Sequence, residues 1–352
     1  MEISVTSVFI ALAWLPALAI ICEVMNHVVC PKRNVPPGPR PWPIIGKLNL
    51  IGSLPYESLH NLSQKYGDLM LLKFGFKPVL IASFPEMAKE ILKTHDAIFS
   101  SRPALTAGYI KRMKALDIKL RKFFKYVLED HHKAKGKEDC VPKDMDLLAD
   151  GTDTSATTVE WAFQELVRNP NMIEKANEEP DRTIDKGRWV EEEDLSQLPY
   201  IEVIIKETFR LHPLTPLIPP RYSIEECKVA GYDVPKGTMV FVNIWSLGRN
   251  PNYWDRPKQF IPKRFLENGI NIKGKNFTML PFGSGRRRCR GYSFGIKLVG
   301  TKLSNLLHGF NWRLTGDIKP EEISMKEIYG LTTHPEKPMS MIMEPRLPLH
   351  LY

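Results

Sequence analysis

One cysteine in a run of glycines and arginines constrains this chain more than any other feature. Residues 281–291 contain Cys289, three glycines and four arginines, and a helical pattern follows over residues 292–307. A thiolate held against a metal needs positive charge, N–H donors or a helix N-terminus nearby. This segment offers all three, and we expect its glycines, Gly283, Gly285 and Gly291, to permit positive φ. Cys289 is therefore the candidate metal ligand.

The same segment is also compatible with a solvated basic turn, a phosphate loop or a zinc site. A phosphate loop requires Gly-Lys-Ser/Thr, which does not follow Gly285. A zinc site requires paired ligands, but the remaining cysteines form no Cys-x-x-Cys pair; they are Cys22, Cys30, Cys140 and Cys227. If only the cysteine is considered, the interpretation of this segment as a solvated basic turn remains open.

The spacing around the cysteine resembles a known cofactor-binding loop. The pattern Phe-x-x-Gly-x-Arg-x-Cys-x-Gly falls on Phe282, Gly285, Arg287, Cys289 and Gly291. It is similar to the haem-binding loop of the cytochromes P450, whose proximal iron ligand is a cysteine thiolate. The resemblance implies haem b (iron protoporphyrin IX) as cofactor, these five residues in its binding, and Cys289 as the iron ligand.

A second pattern predicts a helix that ends at Pro213, because apolar residues recur at helical spacing over residues 198–212. Glu207 and Arg210 then share a face, and such a pair is by itself most often a surface ion pair. The pair also resembles the family's Glu-x-x-Arg helix, and Arg264 lies in a segment similar to its Pro-x-Arg-Phe turn. The resemblance implies one buried network of Glu207, Arg210 and Arg264 behind the haem loop.

Two further patterns resemble parts of the same family's site. Arg221, after two prolines, matches the position of an arginine that binds a haem propionate. Residues 149–155 are similar to the oxygen-activation helix, which implies catalytic roles for Asp153 and Thr154 in proton and oxygen handling. Asp and Thr are also preferred N-caps, so this stretch could instead be a helix start.

The amino terminus predicts a membrane anchor. Residues 3–22 carry no charge and are long enough to span a bilayer as a helix. Lys32 and Arg33 follow, which predicts that the rest of the chain faces the cytosol. Residues 35–46 resemble the Pro-rich hinge of microsomal P450s. We therefore expect an anchor at 1–30, a hinge at 31–46, a partial catalytic domain at 47–352, and an endoplasmic reticulum location.

Composition limits the partners. The 352 residues carry a formal charge of +9 and five cysteines without framework spacing, which favours reduced thiols and an acidic partner. We expect no nucleic acid partner, because the arginines lie in a loop predicted to be buried and no array of stacking aromatics accompanies them. The resemblance implies NADPH–cytochrome P450 reductase as the partner, with NADPH used indirectly through it.

The predicted fold is mainly α with a small β-sheet, with strands at 69–74, 79–82 and 239–243. The resemblance implies an incomplete cytochrome P450 fold. Helices between about residues 104 and 109, and others near 145, are missing relative to the family. The one Trp-x-x-x-Arg, from Trp245 to Arg249, follows the Glu-x-x-Arg helix, whereas the family's haem-binding Trp-x-x-x-Arg precedes it.

Two functions follow from these patterns. The first is a plant microsomal P450, most like the family-92 and flavonoid 3'-hydroxylase-like group, which hydroxylates a small apolar or phenolic metabolite with O2 and electrons from NADPH. The alternative is a truncated, inactive P450-like membrane protein that at most binds haem or reductase. The sequence leaves the activity of this shortened chain open.

Overall fold

The computed structural model describes Trp14 and residues 33–42, 45–103, 145–316, 318–330 and 332–352, without the side chains of 145–150, 267 and 268. In these ranges the helices are α1 (Pro55–Tyr66), α2 (Pro85–Lys89, continued by a π-helical turn Glu90–Thr94), α3 (Met145–Arg168), α4 (Pro170–Thr183), α5 (Pro199–Leu211), α6 (Ile244–Gly248), α7 (Arg264–Asn268) and α8 (Tyr292–Gly309). The strands are β1 (Leu69–Phe74), β2 (Lys77–Ala82), β3 (Arg221–Tyr222), β4 (Cys227–Val229), β5 (Tyr232–Val234), β6 (Met239–Val242), β7 (Phe310–Leu314), β8 (Glu327–Tyr329), β9 (Thr333–Pro335) and β10 (Met341–Pro345). Short 3-10 turns lie at Leu48–Leu50, Glu193–Gln197, Gly285–Arg287, Pro320–Glu322 and Leu349–Leu351.

The helical part of the core is built from α3, α4, α5 and α8, which pack on one another. Pro199 occupies the first turn of α5, where its missing N–H costs nothing. The helix ends at Leu211, before Pro213. Its apolar side chains and those of its neighbours form one buried cluster, which includes Leu166, Ile204 and Leu303.

The second part of the core surrounds a four-stranded sheet in the order β1-β2-β6-β3. β1 pairs antiparallel with β2, β2 pairs parallel with β6, and β6 pairs antiparallel with β3. The parallel pair aligns Val79 with Met239 and Ala82 with Val242. Two-stranded ladders join β7 to β10, β4 to β5 and β8 to β9. The sheet brings the segment before residue 103 next to the segment that carries Arg221.

The predicted mainly helical fold with a small sheet is confirmed. The predicted helix over 292–307 is α8, which continues to Gly309, and the three predicted strands are β1, β2 and β6 with shifts of one or two residues at their ends. The predicted anchor over 3–22 lies outside the described residues apart from Trp14. Among the helices in the described ranges, none combines the length and the apolar character that crossing a bilayer requires.

The described part of the Pro-rich segment lies against β1. The amide of Leu71 donates to the carbonyl of Pro37 at 2.9 Å, and Trp42 and Gly46 exchange two backbone hydrogen bonds at 3.0 Å. A Cβ on Gly46 would overlap the Lys73 carbonyl, and its φ of +65° suits glycine. This segment is therefore packed on the sheet, which fixes its direction as it enters the fold.

We expect stability to fall when the pH is lowered from about 6.5 toward 5, because His308 is buried and His60 is half-buried. Burial lowers the pKa of His308 below its ordinary value, and burial followed by Arg249 and Lys258 lowers the pKa of His60. The unfolded chain therefore takes up protons at a pH where the folded chain does not, and this part of the stability is lost as the pH falls through the folded pKa values. Thermal unfolding followed by circular dichroism from pH 8 to 5.5 measures the effect.

A His308→Gln variant should show a smaller loss between pH 7 and 5.5 than the unaltered chain. The matched control is His350→Gln, since His350 is exposed near the end of the chain. Equal pH dependence in the unaltered chain and His308→Gln would contradict the expectation.

Candidate functional site

Cys289 is an exposed free thiol in a loop of residues 282–291, which we call the Cys289 loop, directly before α8. The loop is closed by backbone hydrogen bonds: the amide of Cys289 donates to the carbonyl of Phe282, and the amide of Arg288 donates to that of Gly285, both at 3.0 Å. These bonds fix the turn that presents the cysteine at the N-terminus of an 18-residue helix.

Gly285 determines how closely the loop approaches α2. Its φ is +73°, and a Cβ there would overlap the carbonyl oxygen of Leu92 and the carboxylate of Asp96. Gly283 also has positive φ, at +66°. The expectation of a positive φ was wrong for Gly291. Its φ is −83°, because it is the N-cap residue of α8.

Asp96 attaches the Cys289 loop to the π-helical turn after α2. One carboxylate oxygen accepts from Nη1 of Arg221 at 3.0 Å, and the other accepts from the amide of Arg286 at 3.0 Å. Arg221 in turn donates from Nη2 to the carbonyl of Ser284 at 2.8 Å. Sequence reasoning gave Asp96 no role, since it lies 190 positions from Arg286.

Three guanidinium groups crowd this side of the loop. Burial lowers the pKa of Arg102, and so do the charges of Arg221 and Arg287. Burial also lowers the pKa of Arg221, with Asp96 acting to raise it and Arg287 to lower it. The side chain of Arg287 donates from Nε to the carbonyl of Ser100 at 2.8 Å. These groups carry more positive charge than Asp96 balances, which suits carboxylate ligands.

The arginines of the loop are more exposed than the sequence predicted. Arg286, Arg287 and Arg290 are exposed and Arg288 is half-buried, so the expectation of a buried loop was wrong for this structure. Arg288 is tied down by a hydrogen bond from Nη1 to the carbonyl of Lys273 at 2.9 Å and by stacking at 4.0 Å over Tyr292. The exposed arginines form a basic surface around Cys289.

Phe282 connects the loop to the helical core. Its ring lies edge-on to Phe209 of α5, with centroids 5.2 Å apart, and 6.4 Å from the ring of Tyr292. Such aromatic pairs stabilise by about 0.5–1.5 kcal/mol beyond the area they bury. The first residue of the Cys289 loop is therefore held by α5.

The opposite side of α5 carries a buried ion cluster. Glu207 and Arg210 are both fully buried and form two hydrogen bonds of 2.7 Å. Nε of Arg264 lies 3.2 Å from Glu207, and the amide of Ile261 donates to the same carboxylate at 2.7 Å. The carboxylate of Glu207 thus receives charge-assisted bonds from two arginines and one backbone amide.

Arg210 also holds the irregular segment that leads to the loop. Its Nη1 donates to the carbonyls of Gly248 and Pro257 at 2.5 and 2.8 Å, and its Nη2 donates to Gln259 at 3.0 Å. Arg264 donates from Nη1 to the carbonyl of Asp255 at 2.7 Å. The cluster therefore fixes the backbone between α6 and α7 from inside.

Asp153 and Thr154 lie well inside α3, which begins by Met145. The alternative that this stretch caps a helix start is therefore wrong. Thr158 donates its hydroxyl to the carbonyl of Thr154 at 2.8 Å, and Asp153 accepts from the hydroxyl of Thr332 at 2.8 Å. Asp153 is exposed and Thr154 half-buried. The contact with Thr332, after β8, was not expected from the sequence.

Trp245 and Arg249, the two residues of the Trp-x-x-x-Arg pattern, make their contacts with residues outside the Cys289 loop. Arg249 stacks on Trp245 at 4.0 Å and donates from Nη2 to the carbonyl of Leu211 at 2.6 Å. It lines a cavity of about 920 Å³ beside α1 and β8, together with His212 and Glu327. This pair stabilises the end of α5.

The sequence profile of the family described as "Cytochrome P450" matches residues 36–116 and 107–342. This chain belongs to the cytochrome P450 family. As a P450 it matches trimethyltridecatetraene synthase from Zea mays with 30% identity over 522 aligned positions, covering 96% of this chain and 94% of that protein. Flavonoid 3'-monooxygenase from Petunia hybrida is 30% identical, in an alignment that covers 90% of this chain and 93% of that protein. Dimethylnonatriene synthase from Zea mays is 48% identical over 211 residues, covering 59% of this chain and 40% of that protein.

The matches also show where this P450 is short. The family profile matches in two pieces that overlap at residues 107–116. The alignment with trimethyltridecatetraene synthase has more positions than the 352 residues of this chain, so segments of that relative have no counterpart here. The incomplete P450 fold expected from the sequence agrees with both observations.

Replacement of Glu207 should destabilise this P450 strongly. Glu207→Gln leaves the guanidinium groups of Arg210 and Arg264 without their buried counter-charge, at an expected cost of about 3–5 kcal/mol in the free energy of unfolding. Urea unfolding followed by tryptophan fluorescence, in detergent, measures it. The matched control is Glu202→Gln on the same helix, whose side chain is 60% exposed in its pair with Lys206 and should lose about 0.5 kcal/mol or less. Similar losses in the two variants would contradict the role given to Glu207.

Proposed function

We propose that this chain is a haem-thiolate monooxygenase that hydroxylates a small apolar or phenolic plant metabolite. The observation that carries the proposal is the exposed thiol of Cys289, held in a rigid loop at the N-terminus of α8 and surrounded by arginines. Membership of the P450 family gives that thiol its expected partner, an iron porphyrin.

The residues present fit haem. A porphyrin iron needs an accessible soft ligand, and Cys289 is an exposed thiol without a disulfide partner. The propionates need cationic partners, and Arg102, Arg221 and Arg287 crowd together beside one carboxylate. When bound, haem would supply the activation of dioxygen, in which one oxygen atom is inserted into a C–H bond and the other is reduced to water with two electrons and two protons.

The contacts of the binding residues support the following roles. Cys289 would ligate the iron, and Arg221 and Arg287 would bind the propionates, with Phe282, Gly285 and Gly291 shaping the loop. Glu207, Arg210 and Arg264 hold the segment behind the loop. Each of these residues acts by keeping the ligand and its charged surroundings at a fixed position, which limits reorganisation during the reaction.

Asp153 and Thr154 are proposed to supply protons. Asp153 is exposed and accepts from Thr332 through Oδ2, so its carboxylate can take up protons from water. Thr154 follows it on α3, where the hydroxyl of Thr158 bonds to the Thr154 carbonyl. We propose that the Thr154 hydroxyl passes this proton onward.

Electrons are proposed to come from NADPH through NADPH–cytochrome P450 reductase. The exposed arginines around Cys289 and the net charge of +9 favour an acidic partner. Residues 1–30 are proposed to anchor the protein in the endoplasmic reticulum membrane, residues 31–46 to form the hinge, and residues 47–352 to face the cytosol as the catalytic part.

The alternative is a P450-like protein without monooxygenase activity, which binds haem or reductase only. The observation that favours it is the shortened chain, whose profile match divides at residues 107–116.

The activity can be tested with the full chain in microsomes supplied with reductase and NADPH. We expect NADPH-dependent oxygen consumption with hydroxylated product from a panel of flavonoids and apolar terpenoids. Thr154→Ala should keep NADPH consumption and divert electrons to peroxide, lowering product per NADPH by about tenfold or more. The measurements are peroxide release and product yield.

The matched control is Thr183→Ala, because Thr183 is a threonine on another helix, α4, whose hydroxyl donates to the Glu179 carbonyl at 2.8 Å outside the proposed site. It should leave product per NADPH unchanged. A chain that consumes no NADPH above background while carrying haem would favour the inactive alternative.

A further inference from the structure

Asp96 stands apart among the contacts of the Cys289 loop because it is an acidic side chain from a distant part of the sequence. Its side chain is only 13% exposed. It lies directly after the π-helical turn Glu90–Thr94, in the part of the chain that precedes the shortened region.

Two groups donate hydrogen bonds to the carboxylate of Asp96, one to each oxygen. Oδ1 faces Nη1 of Arg221 at 3.0 Å, and Oδ2 faces the amide of Arg286 at 3.0 Å, with Nε of Arg286 at 3.4 Å. Two donors at two oxygens require a carboxyl group, because an amide side chain would turn an N–H toward one of the donors.

Arg221 transmits the contact to the next residue of the loop. It is almost fully buried, and its Nη2 donates to the carbonyl of Ser284 at 2.8 Å. The Ser284 carbonyl and the Arg286 amide flank Gly285, which is pressed against Asp96 and the Leu92 carbonyl. Asp96 and Arg221 therefore hold the backbone by hydrogen bonds on both sides of Gly285.

The second of these contacts, at the Arg286 amide, lies three residues before Cys289. The 3-10 turn Gly285–Arg287 leads to Arg288, whose amide bonds back to Gly285 at 3.0 Å. A shift of the turn would therefore move Cys289 relative to α8. On the other side, Ser284 donates its hydroxyl to the carbonyl of Gly274 at 2.9 Å, so the contacts of Asp96 and Ser284 hold the turn from two sides.

We propose that Asp96 is a positioning residue for the iron ligand, which sets the place of Cys289 through Arg221 and the Arg286 amide. The inference deepens the proposed function and rests on it for the meaning of Cys289 as a ligand. Asp96 also supplies the negative charge that lets Arg102, Arg221 and Arg287 lie close together before a propionate binds. It therefore prepares the loop in the absence of haem.

The test compares the full chain with Asp96→Asn in two measurements. The first is amide hydrogen exchange of the haem-free protein by mass spectrometry. Exchange in peptides covering 284–289 should be about tenfold faster in the variant, since one charge-assisted bond to a backbone amide is lost, with α4 and α8 unchanged. The second is the reduced carbon monoxide spectrum after haem loading, which should shift partly from the thiolate form to the form without thiolate.

Two comparisons make the test specific. Asp255→Asn, at an exposed aspartate paired with Arg256, should change neither measurement. Asp96→Asn combined with Arg221→Gln should speed exchange at 284–289 more than Arg221→Gln alone, because the Arg286 amide then also loses its own bond to Asp96.

Unchanged exchange at 284–289 in Asp96→Asn would overturn the proposal. A rise spread evenly over α3, α4, α5 and α8 would also overturn it, because Asp96 would then support the whole fold. Localised exchange in a chain that takes up no haem would leave Asp96 as the anchor of the loop and refute the proposed monooxygenase function instead.

Discussion

The buried carboxylate of Glu207 is the constraint on which the rest of this structure depends. It accepts from Arg210, Arg264 and the amide of Ile261 at 2.7–3.2 Å, and it is fully buried. A buried cluster of this kind stabilises little compared with an apolar core, but it cannot lose a member without leaving a charge stranded. The chain between α6 and α7 has little regular structure, so these directed bonds decide its path.

The helix that carries Glu207 also carries Phe209, which contacts Phe282 at the start of the Cys289 loop. One side of α5 therefore fixes the irregular segment and another fixes the loop. Asp96 and Arg221 hold the same loop from the sheet side. Cys289 is thus positioned by contacts from both parts of the core, and these contacts are present in a chain shorter than the relatives it matches. In the proposed site, the iron ligand and the residues that position it lie outside the shortened region. The residues proposed to supply protons lie on α3, which follows that region.

Much of the site could be predicted because its signals are local. Helical spacing placed Glu207 and Arg210 on one face, and the Phe-x-x-Gly-x-Arg-x-Cys-x-Gly spacing marked Cys289 with the helix that follows it. Asp96 could not be predicted, because its partners Arg221 and Arg286 are distant in sequence and an acid in a loop carries no pattern of its own. The contact between Asp153 and Thr332 was missed for the same reason. Gly291 was misjudged because a glycine in a loop does not reveal the sign of its φ.

The most direct test is a reduced carbon monoxide difference spectrum of microsomes containing the 352-residue chain, with Cys289→Ala and Cys227→Ala beside it. If Cys289 is positioned as described, the unaltered chain and Cys227→Ala give the red-shifted Soret band of a thiolate-bound haem, and Cys289→Ala does not. Absence of the band in the unaltered chain, or its persistence in Cys289→Ala, would contradict the account.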